Sequence, residues 1–414
     1  MHLLSRRNLL TTFGATVTGR LLEPVRAIAQ SVKPVRITRI EGFSIQIPIP
    51  AEEAAMGKNS RYSVVRLETD AGVRGYSFAG YGRGSGQTLF RDLAGKDLFA
   101  LSDHLKAGLD RAGGVEHALW DAIGKIARQP VYRLLGGSQT RVKAYLTTVW
   151  GGMWGGKRDG VEYKADQSNV PYAAQAEMAL RAKRAGFKGM KIRAWRPRPT
   201  DDADACGEIR AAVGPDLAIM FDRTAHLPES AGQKVWDYDT GLRVARALER
   251  HNAYWLEEPF GRNDFYSHAR LARDVDIPIT GGEGYLGLDP FREALVQDAY
   301  DILQPDGVNV GGILLTCKVK VMAEAFHRRL VLHGTMGLNL AGWLQASAAV
   351  GAEWQELALI IPPLLPAEQW SPALKVLNSK TVFDISDGYV HVPQGPGLGL
   401  DVNDEALEQY RVRA

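Results

Sequence analysis

Three acidic side chains close three short apolar runs: Leu217-Ala-Ile-Met-Phe-Asp222, Ala253-Tyr-Trp-Leu-Glu257 and Pro278-Ile-Thr-Gly-Gly-Glu283. With no Cys or His among them they offer hard oxygen ligands, the set that suits Mg²⁺. Zinc-hydrolase chemistry is disfavoured, because paired histidines at ligand spacing do not occur. Lys191 precedes the trio, and Asp306, His333 and Glu356 follow it. Asp306 could hold the Nδ1–H of His333 and raise its basicity. A nearby dication should lower the pKa of Lys191, making it a base or neutral donor; its plainer role is an ion pair with a ligating acid. A protonated Glu356 could donate to developing negative charge. A metal with such flanking groups suits removal of the proton next to a carboxylate, with the enolate stabilised electrostatically.

These residues need elements that bring them together. Short runs rich in β-branched and aromatic residues read as buried strands, and Tyr238–Arg250 between two of them reads as a helix. Strand, helix, strand at this spacing means parallel βα units. Gly189-Met-Lys-Ile-Arg193 extends the phase upstream; Ile302–Asp306, Leu330–His333 and Trp354–Glu356 extend it downstream, at intervals of 23 to 35 residues. With Val142–Val149 as a first strand, eight units are counted. Eight such units favour a closed barrel with the C-terminal strand ends forming one mouth.

The remaining chain of 414 residues does not keep this rhythm. Val35–Ile47 and Ser63–Thr69 alternate, and Asp70-Ala-Gly72 turns into Val73–Ala79, which predicts an antiparallel sheet. A helix is expected over Gly113–Lys125, with Leu119, Trp120, Ile123 and Ile126 on its apolar face. Ala51–Arg61 reads as a polar loop long enough to be a lid. Gly80–Gly86 is no phosphate loop, because the strand–helix context is missing. Pro362, Pro363 and Pro366 end the barrel pattern, and Leu377–Arg413 is expected to pack back on the first domain. Residues 1–29 read as a twin-arginine-type signal peptide: Arg6-Arg7, a weakly apolar stretch, then Ala27-Ile-Ala29, with cleavage near Ala29 and a periplasmic destination. That segment carries four Arg against Glu23, accounting for the formal +3 of the whole chain. The remainder is near neutrality, so neither nucleic acid nor, after export, a membrane is an expected partner. Cys206 and Cys317 fall on opposite sides of the ring and are expected as two thiols.

Residues 113–137, Tyr254-Trp-Leu-Glu-Glu-Pro259, Gly282-Glu283 and Gln304-Pro-Asp306 with Gly311-Gly312 together resemble the enolase superfamily, in particular the mandelate racemase subgroup of the mandelate racemase/muconate lactonizing enzyme family. The resemblance runs from about Val35 to Val412. It implies a modified TIM barrel, (β/α)7β-like, over 141–360, with an N-terminal α+β capping domain over 30–140 completed by a C-terminal segment, 361–414. It also implies Mg²⁺ at Asp222, Glu257 and Glu283, a His333–Asp306 dyad, and Glu356 as electrophilic donor. Two departures matter. Lys191-Ile-Arg193 stands where many members carry Lys-x-Lys, and Arg is no base because its pKa exceeds about 12. Lys191 would then neutralise the substrate carboxylate, leaving His333 as the clear base. The third strand continues Asp222-Arg-Thr-Ala-His226, unlike the Asn-containing form of several relatives, and brings His226 forward as an acid, a substrate ligand or a mere loop residue.

The expected function is a Mg²⁺-dependent acid-sugar (aldonate or aldarate) dehydratase giving a 2-keto-3-deoxy acid. One credible base, with His226, Arg193 and Arg223 for hydroxyl groups, motivates it; Lys58, Arg61 and Tyr62 are the expected contacts from the capping loop. The alternatives are a racemase or epimerase using a neutral Lys191, and a non-catalytic periplasmic sugar-acid binding protein. The expected partner is a small-molecule carboxylate, and the expected assembly a homo-oligomer.

Overall fold

The computed structural model describes residues 33–80, 86–150, 156–158, 161–163, 169–224 and 235–413. The expected signal peptide, His226 and most of the Gly80–Gly86 loop lie outside them.

The alternating N-terminal segments form an antiparallel sheet, β1 (Ile37–Gln46), β2 (Arg61–Thr69) and β3 (Arg74–Ser77). The Gly72 N–H donates to Thr69 O at 3.0 Å in the expected turn. Helix Gly113–Ala127 packs on this sheet and is buried around nearly its whole circumference. The expected loop Ala51–Arg61 contains the helix Ala51–Ala55, and the Asn59 N–H donates to Gln369 O beyond the barrel's last strand.

The parallel sheet begins with β4 (Arg141–Thr148). A small hairpin follows, β5 (Gly156–Arg158) and β6 (Val161–Tyr163). Then come β7 (Gly189–Arg193), β8 (Ala218–Asp222), β9 (Trp255–Glu257), β10 (Ile279–Gly281), β11 (Ile302–Leu303), β12 (Arg329–Leu330), β13 (Leu332–Thr335) and β14 (Trp354–Ile360). The order is β12-β11-β10-β9-β8-β7-β4-β14-β13. β12 and β13 are two pieces of one strand around Val331, whose N–H donates to Leu303 O at 3.0 Å, and this closes the ring. Helices of 8 to 13 residues follow the first seven strands, whereas the eighth is followed by short helical turns, Pro366–Gln369 and Ser371–Val376. The barrel is therefore (β/α)7β.

Side chains alternate along a strand with period two. In the barrel interior this stacks two layers. Tyr145, Met220, Trp255, Ile302, Val331 and Trp354 make one apolar cluster. Two residues further along the same strands stand Thr147, Asp222, Glu257, Gln304, His333 and Glu356. β10 breaks the phase: Thr280 is in register with Glu257 and Ile302, and Glu283 is reached only through Gly282, at φ 114°. A side chain at that φ is strained, which glycine avoids.

The tail divides its packing. Tyr410 and Val412 hydrogen-bond to Gln46 and Ser44 of β1, and Leu407 joins the cluster of Phe43, Ile45 and Tyr76. However, β15 (Ile385–Ser386) and β16 (Tyr389–His391), joined through Asp387 and Gly388 at positive φ, extend the barrel sheet, β16 running antiparallel to β4. The tail thus packs on both domains, and not on the first alone. Cys206 and Cys317 are free thiols. Among the described residues no helix is long and apolar enough to cross a membrane.

Candidate active site

Asp222 ends β8, Glu257 ends β9 and Glu283 follows β10, and one carboxylate oxygen of each lies within 4.8 Å of the others. Asp222 and Glu257 are buried and Glu283 nearly so. The Lys191 ammonium, with 0% exposure, sits 2.8 Å from Glu257 Oε2, 2.9 Å from Glu356 Oε1 and 3.4 Å from Asp222 Oδ2. Arg193 donates to Asp222 Oδ2 and to Thr224 Oγ1, and Thr224 Oγ1–H donates to Asp222 Oδ1 at 2.6 Å. Gln304 Nε2 donates to Glu257 Oε2 at 3.0 Å. Arg262 pairs with Glu283 at 3.0 Å and with Glu258 at 3.2 Å.

His333 lies across the mouth from Lys191. Its Nδ1 is 3.1 Å from Asp306 Oδ2, and its Nε2 is 2.9 Å from Glu283 Oε2. The other oxygen of Asp306 accepts from the Val308 and Asn309 N–H groups at 2.9 and 2.7 Å. Asn309 Nδ2 in turn donates to Glu283 O at 3.1 Å, tying the dyad to the trio.

Electrostatics follow from this packing. Burial, reinforced by the Asp222 charge, pushes Glu257 up to about 8 against the pull of Lys191. Burial opposes the charged form of Lys191, but Glu257, Glu356 and Asp222 hold it well above the ordinary lysine value. Burial likewise opposes the imidazolium of His333, and Glu283 and Asp306 outweigh it, raising the imidazole well above its usual range. Burial would raise Glu356, yet Lys191 and His333 bring it down to about 2.

One expectation is corrected here. Glu356 does not act as a donor in this structure: it accepts from Thr147 Oγ1 and, at 2.7 Å, from the Gly334 N–H, and it pairs with Lys191. Lys191 is a clamped ammonium, in the expected ion-pair role.

Three carboxylates converging without nitrogen or sulfur donors fit a hard dication. The electrostatics agree: burial and the neighbouring Asp222 carboxylate push Glu257 up, a cost that a bound dication would remove. An Mg²⁺ ion would be held by Asp222, Glu257 and Glu283.

The expected substrate contacts scatter. Arg223 is buried, donates to Ala194 O at 3.1 Å and lies over the Trp236 ring, contacts that belong to the barrel wall. Lys58 pairs with Glu53 at 2.9 Å within its own segment, and Arg61 is exposed. Tyr62 is buried, and a Cβ on Gly337, beyond the seventh strand, would lie 2.7 Å from its Oη, so Tyr62 alone of these three reaches the mouth loops. Thr147, Thr224, Arg262 and Asn309 escaped the sequence reading, and Gln304 and Glu258 entered it only inside motifs, with no role given. Thr147 and Gln304 were accessible to it, standing two residues beyond Tyr145 and Ile302; Arg262, in the loop after β9, carries no such periodic mark.

Fold and site define the class, a β/α-barrel enzyme with its ionisable groups gathered at the C-terminal strand ends. Residues 172–406 match the family described as Enolase C-terminal domain-like, and the chain belongs to it. Arabinonate dehydratase of Saccharolobus solfataricus is 31% identical over 75% of this chain and 74% of its own length. D-galactarolactone cycloisomerase of Agrobacterium fabrum is 29% identical over 76% of this chain and 77% of its own. Among solved structures, L-talarate dehydratase from Polaromonas sp. JS666, complexed with Mg and L-glucarate, superposes with a TM-score of 0.69 at 23% identity, over 92% of this chain and 98% of that one.

Proposed function

We propose that the protein is a Mg²⁺-dependent acid-sugar dehydratase: it removes the proton α to the substrate carboxylate and expels the β-hydroxyl as water. The observation that carries this is His333, oriented by Asp306 through Nδ1 and aimed through Nε2 at the carboxylate trio. Bound Mg²⁺ would supply positive charge where the enolate's negative charge develops. The neutral imidazole of His333 takes the α-proton at Nε2 while its own Nδ1–H stays donated to Asp306. The electron pair left at the α-carbon forms the α,β double bond as the β-C–O bond breaks, and the departing hydroxide takes a proton to leave as water. If the hydroxyl lies on the same face, the imidazolium of His333 is the donor. The enol then tautomerises to the 2-keto-3-deoxy acid. Lys191, fixed between Glu257 and Glu356, keeps a positive charge beside the reacting carboxylate.

A racemase would need a second base opposite His333. Lys191 is clamped as an ammonium between Glu257, Glu356 and Asp222, and Arg193, too weakly acidic to serve as a base, is paired with Asp222. The test is incubation with Mg²⁺ in D₂O and a panel of aldonates, aldarates and galactarolactone, reading keto acid and α-deuterium. Keto-acid formation from an open-chain acid sugar is expected. Deuterium exchange without elimination would mean a racemase or epimerase, reaction of the lactone alone a cycloisomerase, and binding without exchange a non-catalytic protein. Periplasmic action after twin-arginine export, read from residues 1–29, and a homo-oligomeric state remain part of the proposal.

A further inference from the structure

The helix Ile313–Ala325 follows the sixth barrel strand, and its N-cap is Gly312, which has no side chain to satisfy the free N–H groups of the first turn. Those N–H groups are not left unpaired. Glu116, from helix Gly113–Ala127 of the other domain, accepts from Ile313 N–H through Oε2 and from Leu314 N–H through Oε1, both at 2.9 Å. Trp120 Nε1–H, one turn along, fixes the same Oε1 at 2.6 Å. Gly312 is at φ 107°, and a Cβ there would collide with Glu116 Oε2. The barrel helix has therefore given up a cap of its own to admit a carboxylate from the capping domain. Glu116 is fully buried, and its hydrogen bonds come from N–H groups.

The capped turn is continuous with the dyad. Gly311 and Gly312 end the segment that begins at Asp306, and Val310 N–H returns to Asp306 O at 3.1 Å. The capping domain grips this segment at further points: a Cβ on Gly113 would lie 2.6 Å from Val308 O, and the His117 ring stands edge-on to Trp343, 5.2 Å between centroids. A Cβ on Gly307, next to Asp306, would meet that Trp343 indole at 3.1 Å.

We propose that Glu116 is a positioning residue: by capping the barrel helix from the neighbouring domain it fixes the Asp306–Gly312 segment, and so the orientation of the His333 imidazole. This rests on the reading of His333 as base, although the placement of Asp306 can be observed without any substrate.

Glu116→Gln keeps size and one acceptor but loses the paired carboxylate geometry. The readout independent of turnover is the downfield proton resonance of His333 Nδ1–H in its bond to Asp306, assigned by its loss in His333→Asn. It is expected to shift or broaden in Glu116→Gln while the rest of the spectrum stays dispersed. With an active substrate, kcat should fall about tenfold at unchanged KM and unchanged Mg²⁺ affinity, and the acid limb of the pH–rate profile should move. Should Glu116→Gln fail to fold, Glu116→Asp, which keeps the charge but withdraws it by one methylene, is read the same way. An unmoved Nδ1–H resonance in the folded variant overturns the proposal, whatever the activity assays give. A moved resonance in a protein inactive on every acid sugar would uphold it and reject the dehydratase reading instead.

Discussion

The barrel interior holds two layers, one turn of the pleat apart, that obey opposite rules. In the lower layer Tyr145 stands edge-on to both Trp255 and Trp354, at 5.4 and 5.9 Å, and the Trp255 Nε1 atom has no hydrogen-bond partner among the described residues. In the upper layer Thr147, Lys191, Glu257, Gln304 and Glu356 are as deeply buried, yet each is tied to another polar side chain. The same strands build both, so the difference comes from residue type at alternate positions, not from backbone geometry. The lower layer gains from apolar area removed from water. The upper layer spends that area on paired charges, which contribute little net stability and are retained where they do chemistry.

The largest effect that would sharpen this contrast is in the upper layer. Glu257→Gln should reduce turnover by at least three powers of ten and weaken Mg²⁺ binding by one to two, since it removes a negative charge from the ligand trio; these are order-of-magnitude expectations, about the size seen when ligand or supporting groups are lost. Its folded stability should change far less, because Lys191 still has Glu356 as partner. Calorimetric Mg²⁺ titration with circular-dichroism melting would check both. Unchanged metal affinity would remove Glu257 from the site.

Next comes the lower layer. Trp255→Ala should cost about 3–5 kcal/mol of stability, the range for a large buried aromatic truncated in a core. Denaturant unfolding measures it, and kcat per folded molecule should fall much less than in Glu257→Gln. Equal losses of activity in the two variants would show that the layers are not separable.

The smallest predicted effect separates two kinds of buried carboxylate by pH. Glu116, capping the barrel helix without a cation, is pushed up to about 7 by burial, from 4.5. Its folded form binds the proton more tightly than the unfolded form, so it favours folding at low pH, and that contribution is lost as pH rises from about 4.5 to 7. Glu356, brought down to about 2 by Lys191, does the reverse: its contribution is present above about 4.5 and is lost as pH falls towards 2. Between pH 7 and 4.5 the wild type should therefore gain stability relative to Glu116→Gln, by up to a few kcal/mol at about 1.4 kcal/mol per pKa unit. A difference independent of pH would mean that Glu116 keeps its charge throughout.

The sequence made the upper layer legible because strand periodicity and acid-ended runs coincide: Asp222, Glu257, His333 and Glu356 could each be placed at a mouth. Glu283 was placed correctly even though the phase slips at Gly282, since the run ends there in any register. The charge states were not legible. Whether Glu356 is neutral depends on Lys191 lying 2.9 Å away, a distance set by two strands on either side of β4. Arg223, expected to meet substrate hydroxyls, instead donates to Ala194 O and lies over the Trp236 ring, partners that lie far from it in sequence. The tail's contribution to the barrel sheet was hidden for a similar reason: the hairpin around Asp387-Gly388 announces itself, whereas its partner β4 does not.

The most direct test of the central claim is hydrogen exchange at the α-carbon of a turned-over acid sugar, with Mg²⁺ in D₂O, comparing wild type with His333→Asn. If His333 is the base, the variant should lose α-proton removal by about 10²–10⁴-fold or more while still binding Mg²⁺. Exchange at the wild-type rate without His333 would contradict the account and transfer the base to another residue.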